Sequence, residues 1–119
     1  MEWKKAPEEL ITFLAVRMKE VNCEPRKMFG YPAYFINGNM FAGAFQDKLF
    51  IRLSKADREK ARKLQASIKS LEPMPGRPME EYVVIPKPLY TNRAFFDEWL
   101  EKSVEYTSSL PPKKKERKR

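Results

Sequence analysis

From Pro7 onward the apolar positions recur every three to four residues. Leu10, Phe13, Leu14, Met18 and Val21 fall at i, i+3, i+4, i+8 and i+11, which is one face of a helix. Pro7 sits at its first turn, and Glu8 and Glu9 lie beside the positive end of the helix dipole. The stretch NCEPRK breaks the pattern, with Asn22 as a cap and Pro25 pushing Glu24 toward an extended conformation.

The pattern then changes period. Between Met28 and Phe45 the chain reads MFGYPAYFINGNMFAGAF, six aromatic rings and two methionines around one Asn-Gly pair, without a charge. PAYFI and NMFAGAF flank Asn37-Gly38, the dipeptide that suits a two-residue hairpin turn with positive φ at both positions. A second turn at Gln46-Asp47 leads into KLFIRLS, where Leu49, Ile51 and Leu53 alternate with Lys48, Phe50 and Arg52. Three antiparallel strands in a meander follow from this. Apolar residues on both parities of the middle strand place it centrally, or covered on both faces.

Ser54 opens a second helix, SKADREKARKLQASI, with Asp57 in an imperfect capping box and Ala61, Leu64 and Ile68 as a narrow apolar stripe. LEPMPGRPMEE carries three prolines and Pro75-Gly76, which reads as a loop with a type II turn. EYVVIP is a β-branched strand halted by PKP. Thr91 or Asn92 caps the last helix, RAFFDEWLEKSVEYTSSL, whose Phe95, Phe96, Trp99 and Leu100 make an aromatic face ended by Pro111 and Pro112. The order α-βββ-α-β-α predicts an α+β fold, a two-layer α/β sandwich with an antiparallel sheet and helices on one face. Residues 1–112 form one domain, and 113–119 are too polar to pack and are expected to be a disordered basic tail.

Composition narrows the chemistry. With 119 residues, 42% of them hydrophobic, a core can form without crosslinks. No apolar run approaches the ~20 residues of a membrane span, and the N-terminus has no secretory signal, so the expected compartment is the cytoplasm. Histidine is absent and Cys23 is the single cysteine, which rules out the usual zinc sets and the Ser-His-Asp and Cys-His pairs within one chain. No cofactor is implied. Glu80 and Glu81 are neighbours on an extended stretch and point to opposite faces, so they do not form an acid/base pair. Cys23, after the C-terminal turn of the first helix, reads as a structural thiol.

The formal charge is +8, and its location decides what it means. KKKERKR at the end holds six bases and one acid, +5 in all, leaving +3 for the other 112 residues. The candidates for contacting nucleic acid are therefore Lys113, Lys114, Lys115, Arg117, Lys118 and Arg119, through phosphate charge alone. Lys55, Arg58, Lys60, Arg62 and Lys63 on the second helix are interleaved with Asp57 and Glu59, giving a solvated face. Arg77 in PGRPM is a candidate for holding an anion, against the simpler reading that it pairs with Glu80 or Glu81. The aromatic stretch reads as sheet core, because a ligand site would need converging polar groups that it lacks. Phe50 stands apart on the parity opposite Leu49, Ile51 and Leu53, where it needs a cover; a helix, a loop or a second copy of the chain would supply one.

RKMFGYPAYFINGNMFAGAFQDKLFIRL, with LEPMPGRPMEEYVVIP after the second helix, resembles the N-terminal domain of the TfoX/Sxy competence regulators. The most specific parts are Met28-Phe29-Gly30, Met40-Phe41-Ala42-Gly43 and Pro75-Gly76-Arg77-Pro78-Met79. The resemblance implies a secretion-chaperone-like two-layer sandwich and a regulatory, non-enzymatic role. The family's full-length members carry a helical C-terminal domain, for which the basic tail stands here. The leading expectation is a regulatory module acting through protein-protein contacts, with an unknown partner or as a homodimer. The alternative is a nucleic-acid accessory protein that binds through its tail without sequence preference.

Overall fold

The computed structural model describes residues 5–113. Helix α1 (Glu8–Met18) is followed by four strands, β1 (Glu24–Met28), β2 (Tyr31–Ile36), β3 (Asn39–Phe45) and β4 (Lys48–Arg52). Helix α2 (Lys55–Leu64) leads to β5 (Lys69–Met74) and β6 (Arg77–Ile85), and the chain closes with α3 (Lys87–Tyr90) and α4 (Arg93–Ser109). All six strands form one antiparallel sheet in the order β1-β2-β3-β4-β6-β5. The fold is α+β.

Two strand regions differ from the sequence expectation, for one reason. NCEPRK is not simply a break, because Glu24–Met28 pairs with β2 as an edge strand. LEPMPGRPMEE is not a loop, because it forms most of the β5–β6 hairpin around Pro75-Gly76, with Gly76 at φ +79 as a type II turn requires. Pro25 and Pro73 are tolerated because β1 and β5 are the sheet edges, where an outward-facing position needs no N–H. The meander therefore has four strands. Three smaller differences concern helices: α1 ends at Met18 and not at Asn22, PKPLY forms the one-turn α3, and Leu64 on α2 is exposed while Ile68 is buried beyond that helix.

Capping follows the side chains available. The Ser54 hydroxyl accepts from the Asp57 N–H at 3.2 Å, and the Asn92 side chain accepts from the Phe95 N–H at 3.2 Å. Phe29, Asn37 and Gln46 each take positive φ at the first position of a two-residue turn, and glycine follows the first two.

The main core lies between the sheet and the helices. Leu10, Leu14 and Met18 of α1 and Phe96, Trp99 and Leu100 of α4 pack on Tyr34, Phe41, Ala42, Leu49, Ile51 and Val83 of the strands. One extra residue in β3, Phe41, sits opposite the Tyr34/Phe35 step of β2, and this bulge turns its ring into the helix-side core. Ser103 of α4 donates to the Phe41 carbonyl at 3.2 Å, joining helix to bulge. The Thr107 hydroxyl, fully buried one turn on, has no hydrogen-bond partner among the described residues.

A second, smaller core occupies the other face: Ala33, Phe35, Met40, Phe50 and Leu71, flanked by Met79, Tyr82 and Val84. Phe50 is only 4% exposed, and what covers it is the sheet's own side chains. Its ring meets Tyr82 edge-on at 5.6 Å and lies over Gly43, where an added Cβ would come within 2.9 Å of it. Neither a helix nor a second copy is required to shelter Phe50.

Candidate functional site

The helix-free face carries a trough of about 1100 Å³ that crosses the strands near one end of the sheet. Arg26 of β1, Phe35 of β2, Met40 of β3, Arg52 of β4, Tyr82 of β6 and Lys113 line it, and no carboxylate does. Strand alternation explains the set. Arg26 stands opposite Ala33, and Arg52 opposite Tyr82, so both arginines leave the sheet on the side of the smaller core.

Both guanidinium groups are held in place. Arg26 lies over the Phe35 ring at 4.6 Å and donates to Glu24 at 3.1 Å. Arg52 lies 5.4 Å from the Tyr82 ring centre and donates to Glu81 at 2.7 Å. The Tyr82 hydroxyl donates to the Met40 carbonyl at 3.0 Å, and burial pushes its pKa up, so it stays a donor.

The C-terminal segment is tied to this face. The Lys113 N–H donates to the Asn37 carbonyl at 2.8 Å, and the Asn39 side chain donates to the Pro111 carbonyl at 3.1 Å. The Lys113 carbonyl packs so closely on Gly38 that a Cβ there would collide with it. The Asn37-Gly38 turn thus closes a hairpin and also receives residues 111–113. Of the tail cations, Lys113 reaches the trough; Lys114, Lys115, Arg117, Lys118 and Arg119 lie outside the described residues.

Arg77 is elsewhere. It follows the β5–β6 turn at the far edge of the sheet, exposed, and the Gly76 N–H beside it already donates to the Glu72 carboxylate at 2.7 Å. The backbone donor that could have held an outside anion is occupied by the chain itself. Glu81, one of two acids suggested for Arg77, pairs with Arg52 instead. The residues that sequence reasoning missed are Arg26 and Arg52. The signal for Arg52 was present, since it shares parity with Phe50, but Arg26 lay in a segment read as a break.

The β1–β2 turn is the other unusual feature. Phe29 adopts φ +54 and is 73% exposed, and Met28 beside it is also exposed. A bulky side chain in the left-handed region is uncommon. Neither burial nor a ring contact among the described residues compensates it.

Cys23 and Asp97 lie outside the trough. Burial pushes the Cys23 thiol up, and its Sγ lies 3.9 Å from the Met18 carbonyl, the reverse of a reactive thiolate's setting. Burial pushes the Asp97 carboxyl up, but hydrogen bonds and charge from Arg17, at 2.7 Å, and Arg93 outweigh it and hold Asp97 below the usual carboxylate range. Among the described residues no three His, Cys, Asp or Glu side chains gather to hold a metal ion. None of the described helices is long and apolar enough to cross a membrane.

Comparison with known protein families matches residues 18–107 to the TfoX N-terminal domain. A comparison with curated protein sequences finds no match. The matched span runs from the last turn of α1 to the last turns of α4 and includes all six strands. This chain therefore belongs to the TfoX N-terminal domain family, a regulatory and non-catalytic family associated with competence.

Proposed function

We propose that the chain is a non-enzymatic, cytoplasmic regulatory module that acts through protein-protein contacts at the β1–β2 hairpin tip. The observation that carries this reading is Phe29. The left-handed conformation costs a side chain about 1–2 kcal/mol, and asparagine or glycine would hold the turn more cheaply. Among the described residues neither burial nor a ring contact compensates the exposed ring for that cost. An exposed aromatic in a two-residue turn, beside exposed Met28, has the form of an anchor for a partner's apolar pocket.

Strand-to-strand pairing between copies is the poorer route to association. Each sheet edge carries a proline, Pro25 on β1 and Pro73 on β5, which removes a donor from the row another strand would need. The test compares wild type with Phe29→Asn. The variant should be more stable by about 1 kcal/mol in urea unfolding and should lose the protein partner that wild type captures from its host. Recovery of no partner by wild type, together with a monomeric mass at high concentration, would overturn the reading.

A further inference from the structure

Beyond that reading, we infer that the trough docks an extended acidic peptide of a partner protein, in which two carboxylates flank an apolar side chain. Arg26, Arg52 and Lys113 bring positive charge to the trough and no carboxylate lines it, so the charge-complementary occupant is anionic. Phe35 of β2 and Met40 of β3 line it on the strands between the two arginines, so the occupant also has an apolar part. Arg26 and Arg52 stand on strands three positions apart in the sheet, about 14 Å at ordinary strand spacing. An extended peptide rises about 3.4 Å per residue with alternate side chains on one face. Acids at i and i+4 therefore cover the same distance, and an apolar residue at i+2 falls between them, over Phe35 and Met40.

Carboxylate is the anion that both arginines already hold. Arg26 donates to Glu24 through one terminal nitrogen and Arg52 donates to Glu81 through Nε, and each guanidinium has further N–H groups for a second carboxylate. The Phe35 and Tyr82 rings keep the two groups in position for it. The Asn37–Asn39 end of the trough also binds polypeptide, since it holds residues 111–113 by the Lys113 N–H to the Asn37 carbonyl and the Asn39 side chain to the Pro111 carbonyl. Nucleic acid is the poorer fit. Its bases need open ring faces to stack on, whereas Phe35 is buried with Arg26 over its ring, and Tyr82 is engaged by Phe50 and Arg52.

The test is an NMR titration of the isotopically labelled full chain, at low salt, with a synthetic peptide that carries two glutamates four positions apart, a leucine midway and serines elsewhere. The amides of Arg26, Asn39, Arg52 and Lys113 should shift. Replacing the glutamates of the peptide by glutamine, or its leucine by serine, should weaken binding at least several-fold. Arg26→Gln/Arg52→Gln should weaken it roughly tenfold, and Arg26→Lys/Arg52→Lys should recover only part of that loss, because the charge returns without the fork. Arg77→Gln/Lys63→Gln removes the same charge from exposed positions outside the trough and should leave binding unchanged. Thermal melting of each variant checks that the domain is folded. The inference fails if the peptide shifts none of the four amides, if the control pair weakens binding as much as the trough pair, or if the serine peptide binds equally well. It also fails if a thymidine trinucleotide, with the same two charges, binds more tightly at those amides, which would assign the trough to nucleic acid. Phe29 does not line the trough, and Phe29→Asn should leave this titration unchanged, so the two proposals stand or fall separately.

Discussion

The two faces of this sheet are built on different principles. On the helix side, Phe41, Leu49, Ile51 and Val83 are wholly buried under α1 and α4, and of the two polar side chains that enter, Ser103 is hydrogen-bonded to the backbone while Thr107 has no partner among the described residues. On the other side no helix packs on the smaller core, and α4 reaches its margin, where the Tyr106 ring centre lies 6.0 Å from the Arg52 guanidinium. Phe35, Met40, Phe50 and Leu71 are sheltered by one another, and Arg26, Arg52 and Tyr82 rim them with charge and hydrogen-bonding capacity. A face that covers itself has its polar rim left over for outside contacts, whereas a face covered by helices has no surface to offer.

That contrast can be broken by substitution, beginning with the deepest site. Phe41→Ala should cost about 3–5 kcal/mol in denaturant unfolding, because the bulge that holds Phe41 cannot collapse around the space. Phe35→Ala, in the smaller core and 8% exposed, should cost about half as much; equal losses would erase the distinction between the faces. Gly43→Ala tests the self-covering face directly. A Cβ there would lie 2.8 Å from the Pro32 carbonyl oxygen and 2.9 Å from the Phe50 ring, so a loss of about 1–3 kcal/mol is expected.

Two smaller effects sharpen the helix side. Thr107→Val removes a buried hydroxyl that lacks a partner and keeps its shape, so it should stabilise by about 1 kcal/mol in the same unfolding measurement. Asp97→Asn addresses the tie between α1 and α4. Its folded pKa is depressed, so the stability it contributes is present above the unfolded value of about 4 and disappears as pH falls through the lower folded value. Because the Asp97 side chain is 45% exposed, wild type should melt only about two degrees above the variant at neutral pH. The gap should close in strong acid.

Most of the helices and the inner strands were legible because their signals are local. Leu10, Leu14 and Met18 repeat at helical spacing, Asn37-Gly38 has the chemistry of its turn, and Ser54 and Asn92 cap as their side chains allow. The edge strands were not legible. Proline at 25 and 73 carries the same local signal in a loop as in an edge strand, and only the sheet order separates the two. The cover over Phe50 was hidden for a related reason, since Gly43, Tyr82 and Leu71 come from three different strands. For the candidate site, the tail's charge was visible as a run and Arg52 shared the parity of Phe50, while Arg26 was a single residue in a segment that reads as a break.

The sequence by itself determined the class of fold, the identity of the core-forming segments, the exclusion of histidine-based chemistry and the family resemblance. Each of these depends on residues close together in the chain. The tertiary structure alone decided that β1 and β5 close the sheet's edges, that Phe29 stands exposed at a left-handed turn, and that Lys113 meets Arg26 and Arg52 along one trough. Those facts arise from register, strand order and the docking of residues 111–113 on a distant hairpin turn. Contacts between residues tens of positions apart leave no periodic trace in a single chain.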